Sequence, residues 1–560
     1  MKALLPALII SVLPFYLSAQ NLENIQDQKP VQLTGGLNLS TNFYSTTRSR
    51  ASRDAFLWTL SGSPTLNIYG VTLPFTFVLS KKNEDFRQPF NQFGLSPYYK
   101  WAKLHLGYRS LSFSDYSLNG HIFNGVGAEL TPGNWRLAGM YGTLLKPIEP
   151  DPFAEYAVQP TYKRKGYSFK IGYGPSSNFL DLIFLKGWDD PNSIERPADS
   201  AMVNPQENVV LAVKTHQVIF KKLIFDLDVG LSGFTSNLYV EDVPEEDLPN
   251  SGLVSNLLTV NYSTQFLTAG KAGLSYRLKG VSLRLQYERV EPEYQTMGAY
   301  YFNTDQENIT IAPGFSLFKR KMRVNASVGW MRNNILDNKA NQTNRRINSL
   351  QLSYAPSAKF NISGTYNNYQ ITQQLIDRVK RDVIDSLQLE QFTNNLNVNA
   401  NYNFGSKTKR YVFSLGYSRQ ATDQEFANEA VGNNNTVSES PMASFRFNNR
   451  ESDWGYRVNF NYNSFENASI NSTRWGLTLG ANKSLWDKKM TLNGNMAYFK
   501  TKLSGQDGGS TIRFNLRSNY KLSEKHALGV TSTLVKRSSQ NERIEAFSEF
   551  LGSINYSYSF

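Results

Sequence analysis

Four histidines and no cysteine bound the covalent and metal chemistry open to this 560-residue chain. His105, His121, His216 and His526 lie far apart, and no two have the spacing of metal ligands. Without thiolates beside them, a zinc site is not expected. There is no glycine-rich phosphate loop, dinucleotide fingerprint or Gly-x-Ser-x-Gly elbow. No residue is assigned a catalytic role, and neither a metal nor a cofactor is expected. Serine, histidine and acidic groups scattered over strand ends could still build an enzyme without leaving a spacing signature. That remains a minor alternative, and the satisfied lumenal residue is the better reading of His105.

What is left is charge. The formal net charge is +13, from 59 Lys and Arg against 46 Asp and Glu. Arginines recur one residue away from apolar ones: Arg284 between Leu283 and Leu285, Arg513 between Ile512 and Phe514, Arg474 beside Trp475. A period of two puts alternate residues on opposite faces of a strand. If the apolar face meets lipid, then Arg284, Arg323, Arg446, Arg457, Arg474, Arg513 and Arg517 line a lumen, joined by Lys103, His105, Arg109 and Lys170. A charge on the lipid side would be costly near the midplane, which supports that parity. Acids on the same side are fewer: Asp181, Asp226, Asp228 and Glu288. A wall of fixed guanidinium groups raises the local concentration of anions and favours their passage. The alternative is that the arginines pair with lumenal acids or inward-folded loops and only stiffen the wall. The basic residues are spread over strands and turns such as Lys163-Arg164-Lys165, so no nucleic-acid partner is expected. Contact with anionic lipopolysaccharide at an outer rim, or solvated turns, would also account for the excess.

The elements that must hold these residues form one repeated unit of strand, short turn, strand and longer loop. Leu396, Val398, Ala400, Tyr402 and Phe404 alternate with asparagines from Asn395 to Asn403. Trp475, Leu477, Leu479 and Ala481 alternate with Gly476, Thr478, Gly480 and Asn482. Turn chemistry marks Thr131-Pro132-Gly133, Lys221-Lys222, Leu278-Lys279-Gly280, Lys319-Arg320-Lys321, Gly405 to Lys409, Trp486-Asp487-Lys488 and Ser523-Glu524-Lys525. Long polar connections are expected at 189–208, 239–252, 291–308, 334–345, 373–390, 421–440 and 505–509, with a short amphipathic helix at Leu375 to Leu389. Ser110 to Gly120 and Lys146 to Pro152 read as loops, inward folds or strand ends. The fold class is all-β: a single large transmembrane antiparallel barrel of about 26 strands, between about 22 and 30. The negative mean hydropathy does not oppose this, because every second residue faces the lumen.

The two ends carry the most specific signals. Met1 to Ala19 reads as a signal peptide, with Lys2, an apolar run from Ala3 to Leu17, and small residues before Gln20. Residues 20–32 read as a short periplasmic segment and 33–560 as the barrel; Leu37, Leu39, Thr41 and Phe43 open its first strand. At the other end Ile554, Tyr556, Tyr558 and Phe560 share a face opposite Ser553, Asn555, Ser557 and Ser559. This ending resembles the assembly signal of bacterial outer-membrane proteins. The asparagine-rich strands, the Ser-Ala-Gln cleavage region and the tyrosine-rich wall resemble outer-membrane barrels of Bacteroidota, and Asp199-Ser200-Ala201 and Asp385-Ser386-Leu387 resemble the three-residue O-glycosylation motif of that group. The resemblance implies the barrel assembly machinery, outer-membrane lipid and lipopolysaccharide as partners, with a further envelope protein as another. Little chain precedes the first strand, so a TonB-dependent receptor with its large plug is disfavoured. The functional expectation is a porin-like or export channel passing solute or polypeptide. The alternative is a structural or secretion-complex partner barrel.

Overall fold

The computed structural model describes residues 31–49, 53–81, 92–150, 159–197, 202–244, 256–301, 303–375, 389–426, 434–539 and 545–560. The signal-peptide region, the proposed helix at 375–389 apart from its ends, and both three-residue glycosylation matches fall outside them. Every strand pairs antiparallel with its neighbours, and the ring closes into a barrel of 26 strands.

β1 is Val31–Thr34 continued by Gly36–Thr46, β2 is Phe56–Gly62 continued by Thr65–Ile68, β3 is Val71–Ser80, and β4 is Gln92–Leu95 continued by Tyr98–Tyr99. Then come β5 (Ala102–Ser112), β6 (Asn119–Leu130), β7 (Trp135–Leu145), β8 (Lys163–Tyr173), β9 (Asn178–Asp190), β10 (Glu207–Ile219) and β11 (Leu223–Thr235). β12 (Thr264–Leu278), β13 (Val281–Val290), β14 (Gln306–Leu317), β15 (Met322–Arg332), β16 (Asn341–Tyr354), β17 (Phe360–Leu375) and β18 (Leu389–Gly405) follow. The last are β19 (Lys409–Phe426), β20 (Thr436–Asn449), β21 (Trp454–Glu466), β22 (Asn471–Leu485), β23 (Met490–Leu503), β24 (Gln506–Lys521), β25 (His526–Ser538) and β26 (Phe547–Ser559).

Closure is made by β1 and β26, in register from Gly36 opposite Ser559 to Thr46 opposite Glu549. The Phe560 amide adds a bond to the Gly35 carbonyl at 3.0 Å. A sheet closed on itself leaves no unpaired edge, the one way a sheet can sit in hydrocarbon. Among the described residues no helix is long and apolar enough to cross a membrane.

The outer face is apolar around the ring. Leu104, Leu106, Val126, Leu182, Leu211, Leu231, Leu283, Leu285, Ile311, Leu415, Leu479, Phe514 and Ile554 are all exposed. A continuous apolar surface of this extent needs an apolar neighbour. Aromatic rings gather near the short turns: Trp135 on Tyr173, Phe404 on Tyr411, Phe447 on Trp454, Trp486 on Tyr520, Tyr558 on Phe560. Amphipathic rings prefer the boundary between hydrocarbon and water, so these form a girdle at that end.

The short turns fall where turn chemistry predicts them, except Lys163-Arg164-Lys165, which opens strand β8 in register with Asp190, Asp189 and Trp188. One long connection departs as well. The expected loop at 505–509 is a tight turn at Ser504–Gly505, with β24 already begun at Gln506. Gly505 and Gly509 take left-handed φ there, 79° and 93°, which glycine adopts without steric cost.

Candidate functional site: the barrel lumen

Apolar side chains from β5 to β11 converge inside the ring, which defines the inner face. Leu111, Phe123, Ala138, Met140, Leu144, Ile183, Leu185, Val210, Ala212 and Phe234 form one buried cluster with Phe113, Leu118 and Met297 from connections. These strands are thus apolar on both faces, as in a sheet buried on both sides. The sequence signal was present in unbroken runs such as Leu182-Ile183-Phe184-Leu185 and Val209-Val210-Leu211-Ala212-Val213, where alternation fails.

Two connections fold inward to meet that core. The first, 113–118 between β5 and β6, resolves the undecided stretch at Ser110 to Gly120 as an inward fold. The second, residues 291–301 after β13, packs against it. Tyr294 donates its hydroxyl to the Tyr116 carbonyl at 2.5 Å, Thr296 donates to the Ser117 carbonyl at 3.0 Å, and the Asn119 amide donates to the Gly298 carbonyl at 2.8 Å. A Cβ at Gly298 would lie 2.5 Å from the Ser117 carbonyl oxygen, so only glycine permits this approach. His121 stacks on Tyr300 with centroids 4.0 Å apart.

The wall beneath these connections carries a belt of alternating charge. In register from β7 to β13 stand Arg136, Gly172, Asp181, Lys214, Asp228, Lys271 and Glu288. Arg136 grips Asp181 through two bonds of 2.8 and 3.0 Å, and Lys214 lies 3.5 Å from Asp228. The inward connection docks on the same belt. Ser114 donates to Asp228, the Asp115 amide donates to Asp228 at 3.1 Å, Asp115 pairs with Lys271, and Tyr116 donates to Glu288 at 2.8 Å. Burial first, then the Glu288 carboxylate beside it, push the Tyr116 phenol far above its ordinary range and keep it a donor. The remaining cations on this side are also engaged. Lys170 lies 4.0 Å from Asp181, Lys103 and His105 reach Glu129 at 3.1 and 2.9 Å, and Arg109 donates to Thr76 at 2.5 Å. His105 is buried and also bonds Ser96 at 3.1 Å. His216 bonds Asp226 at 2.5 Å. Sequence reasoning missed Lys214, Lys271 and Glu129, although all three stand on the inner parity.

Following the register onward carries the inner face to the arginines. Arg284 stands opposite Ala312, and Arg323 opposite Ser316 and Ser353. The other five lie on β20–β24. Arg517 is in a row with Asn493, Asn482 and Asn448. One row further from the short turns, Arg446 faces Arg457, in line with Gly480, Asn495 and Asn515. Next come Arg513, then Arg537 opposite Thr511, then Arg474 opposite Thr501. At about 7 Å per two residues, these five rows span about 27 Å measured along the strands. Among the described residues, none of these guanidiniums has a carboxylate within 4.0 Å. Neutral groups hold three of them. Arg457 donates to Asn495 at 3.2 Å, Arg284 to Gln286 at 3.0 Å, and Arg474 lies 4.1 Å over the Phe499 ring. The lumen therefore has two unlike sides: a filled side on β5–β13, where most charges are paired and Arg284 is the exception, and an arginine ladder on β20–β25. Among the described residues no group of acids and histidines could hold a metal ion.

No protein-family model matches this chain, and no curated protein resembles it significantly. Solved structures of similar architecture include OccAB2 of Acinetobacter baumannii, at 9% identity and TM-score 0.30, covering 64% of this chain and 92% of that one. OprD of Pseudomonas aeruginosa is similar at 11% identity and TM-score 0.30, covering 68% and 95%. The translocation pore of the P pilus usher PapC is similar at 10% identity and TM-score 0.36, covering 94% and 99%. The role of this chain rests on its own lumen.

Proposed function

We propose that this barrel spans a bacterial outer membrane and passes small anionic solutes along an off-centre path beside β20–β25. The observation that carries this reading is the ladder of arginines with no carboxylate within 4.0 Å among the described residues, in which Arg457 is held by an amide and Arg474 by an aromatic ring. A guanidinium paired with a carboxylate contributes little field beyond the pair, whereas one positioned by a neutral amide keeps its full charge toward the lumen. The filled side narrows the opening, which favours small solutes over an unfolded polypeptide. On this reading residues 1–19 are the export signal. Ile554, Tyr556, Tyr558 and Phe560 are what the assembly machinery recognises, and lipid and lipopolysaccharide surround the apolar face.

The test is reversal potential in planar bilayers under a salt gradient. The wild type is expected to prefer chloride over potassium. Arg513→Gln with Arg517→Gln should cut that preference by about threefold. Steady silence at several voltages, or selectivity unmoved by the double change, would reject the proposal. One observation favours a second reading: a simple pore does not need one side of its lumen filled by a buried core. A barrel that anchors a partner would copurify with another envelope protein at fixed stoichiometry.

A further inference from the structure

The Arg446–Arg457 pair is unusual on electrostatic grounds. Like charges placed directly opposite on neighbouring strands repel, and a sheet ordinarily avoids them. Here the two face each other across β20 and β21, with no carboxylate among the described residues within 4.0 Å to offset them. Both line a cavity of about 180 Å³ shared with Asn448, Asn482, Asn493 and Asn495. Gly480 lines the hollow opposite Arg457, and Gly455 stands one row nearer the short turns, between Asn448 and Asn482. A Cβ at Gly480 would lie 2.4 Å from the Asn495 carbonyl oxygen, and one at Gly455 would lie 2.6 Å from that of Asn448 and 2.9 Å from that of Asn482. A side chain at Gly480 would intrude on the hollow, and one at Gly455 would push two of its amides aside. Arg457 is fixed in place by Asn495 and, with its amide turned to satisfy its neighbours, by Asn459 at 3.3 Å.

From this arrangement we infer that the hollow is a binding site for a hydroxylated oxyanion such as a sugar phosphate or sugar acid, a station on the permeation path. Two guanidinium forks offer parallel N–H donors to a phosphate or carboxylate. The surrounding carboxamides offer both donors and acceptors, which hydroxyl groups need and a bare anion does not. Arg517, one row nearer the short turns and in register with Asn493, and Arg513, one row beyond, hand the anion into and out of the site. The inference rests on the channel reading for its biological sense, but the site can be tested without it.

Glucose 6-phosphate, inorganic phosphate and glucose serve as probes. In bilayers, glucose 6-phosphate should block the chloride current of the wild type, inorganic phosphate should block more weakly, and glucose should not block. Arg446→Gln or Arg457→Gln should raise the half-blocking concentration about tenfold, and Asn482→Ala about threefold. If the wild type conducts selectively but glucose 6-phosphate does not block, or blocks the arginine variants equally well, the site is overturned and the channel stands. Equal block by inorganic phosphate overturns it too, because the amides would then have no role. If no protein conducts, the channel reading falls, and calorimetric titration of the detergent-solubilised barrel decides the site. Binding of glucose 6-phosphate that is lost in both arginine variants supports it, and absence of binding overturns it.

Discussion

At the scale of single residues, the same inner parity holds two kinds of cation, and the difference lies in what touches them. Lys214 and Lys271 stand beside Asp228 in one register row, and Asp228 also takes the Ser114 hydroxyl and the Asp115 amide. Asp228 is 2% exposed, so its charge depends on these partners. Asp228→Asn should therefore leave Lys214 under-compensated and loosen the Ser114–Tyr116 docking together. The expected loss is about 3 kcal/mol, read as a lower urea midpoint in detergent and faster amide exchange at 115–118. A midpoint within error of wild type would show that the belt does not hold the connection.

At the scale of elements, the strands were legible and the inward connections were not. Period-two alternation located β18 and its turn at Gly405 to Lys409, the turn at Trp486 to Lys488, and the closing strand from Phe547. Each of those features is set by neighbours close in sequence. The filling of the lumen depends on pairings such as Ser114 with Asp228 and Tyr116 with Tyr294, more than a hundred residues apart. No local period reports those. The apolar inner faces of β9 and β10 were visible as unbroken hydrophobic runs, but a rule that sends every apolar residue to lipid misplaces half of them. The alternation of arginines with apolar residues could be read from the sequence; the absence of acid partners could not, since that is a property of the register. Because 113–118 is tied by its contacts and not by strand pairing, it is separable from the wall. Replacing Ser114–Ser117 by Gly-Ser-Gly-Ser should keep the barrel folded and heat-modifiable while raising single-channel conductance by about half. Unchanged conductance would place the connection clear of the permeation path.

At the scale of the whole molecule, the two sides of the lumen make opposite demands. The β5–β13 side buries apolar groups and pairs its charges, which is how a protein interior is stabilised. The β20–β25 side leaves guanidiniums in water without counter-charges, which costs self-repulsion and has no structural return. On the proposed reading, solute runs along the side where that stability is given up. The chain contains no cysteine, so single cysteines can report the path directly. Asn515→Cys and Ser444→Cys, on the ladder wall, should react rapidly with a charged, membrane-impermeant thiosulfonate, and the added group should lower the current. Ala212→Cys and Met140→Cys sit at comparable inner-face positions but within the buried cluster, where Ala212 is 4% and Met140 5% exposed. They should react about a hundredfold more slowly, since reagent reaches them only when the core opens. Equal rates on the two sides would mean that water fills the whole ring, and the path would then have no reason to follow the arginines.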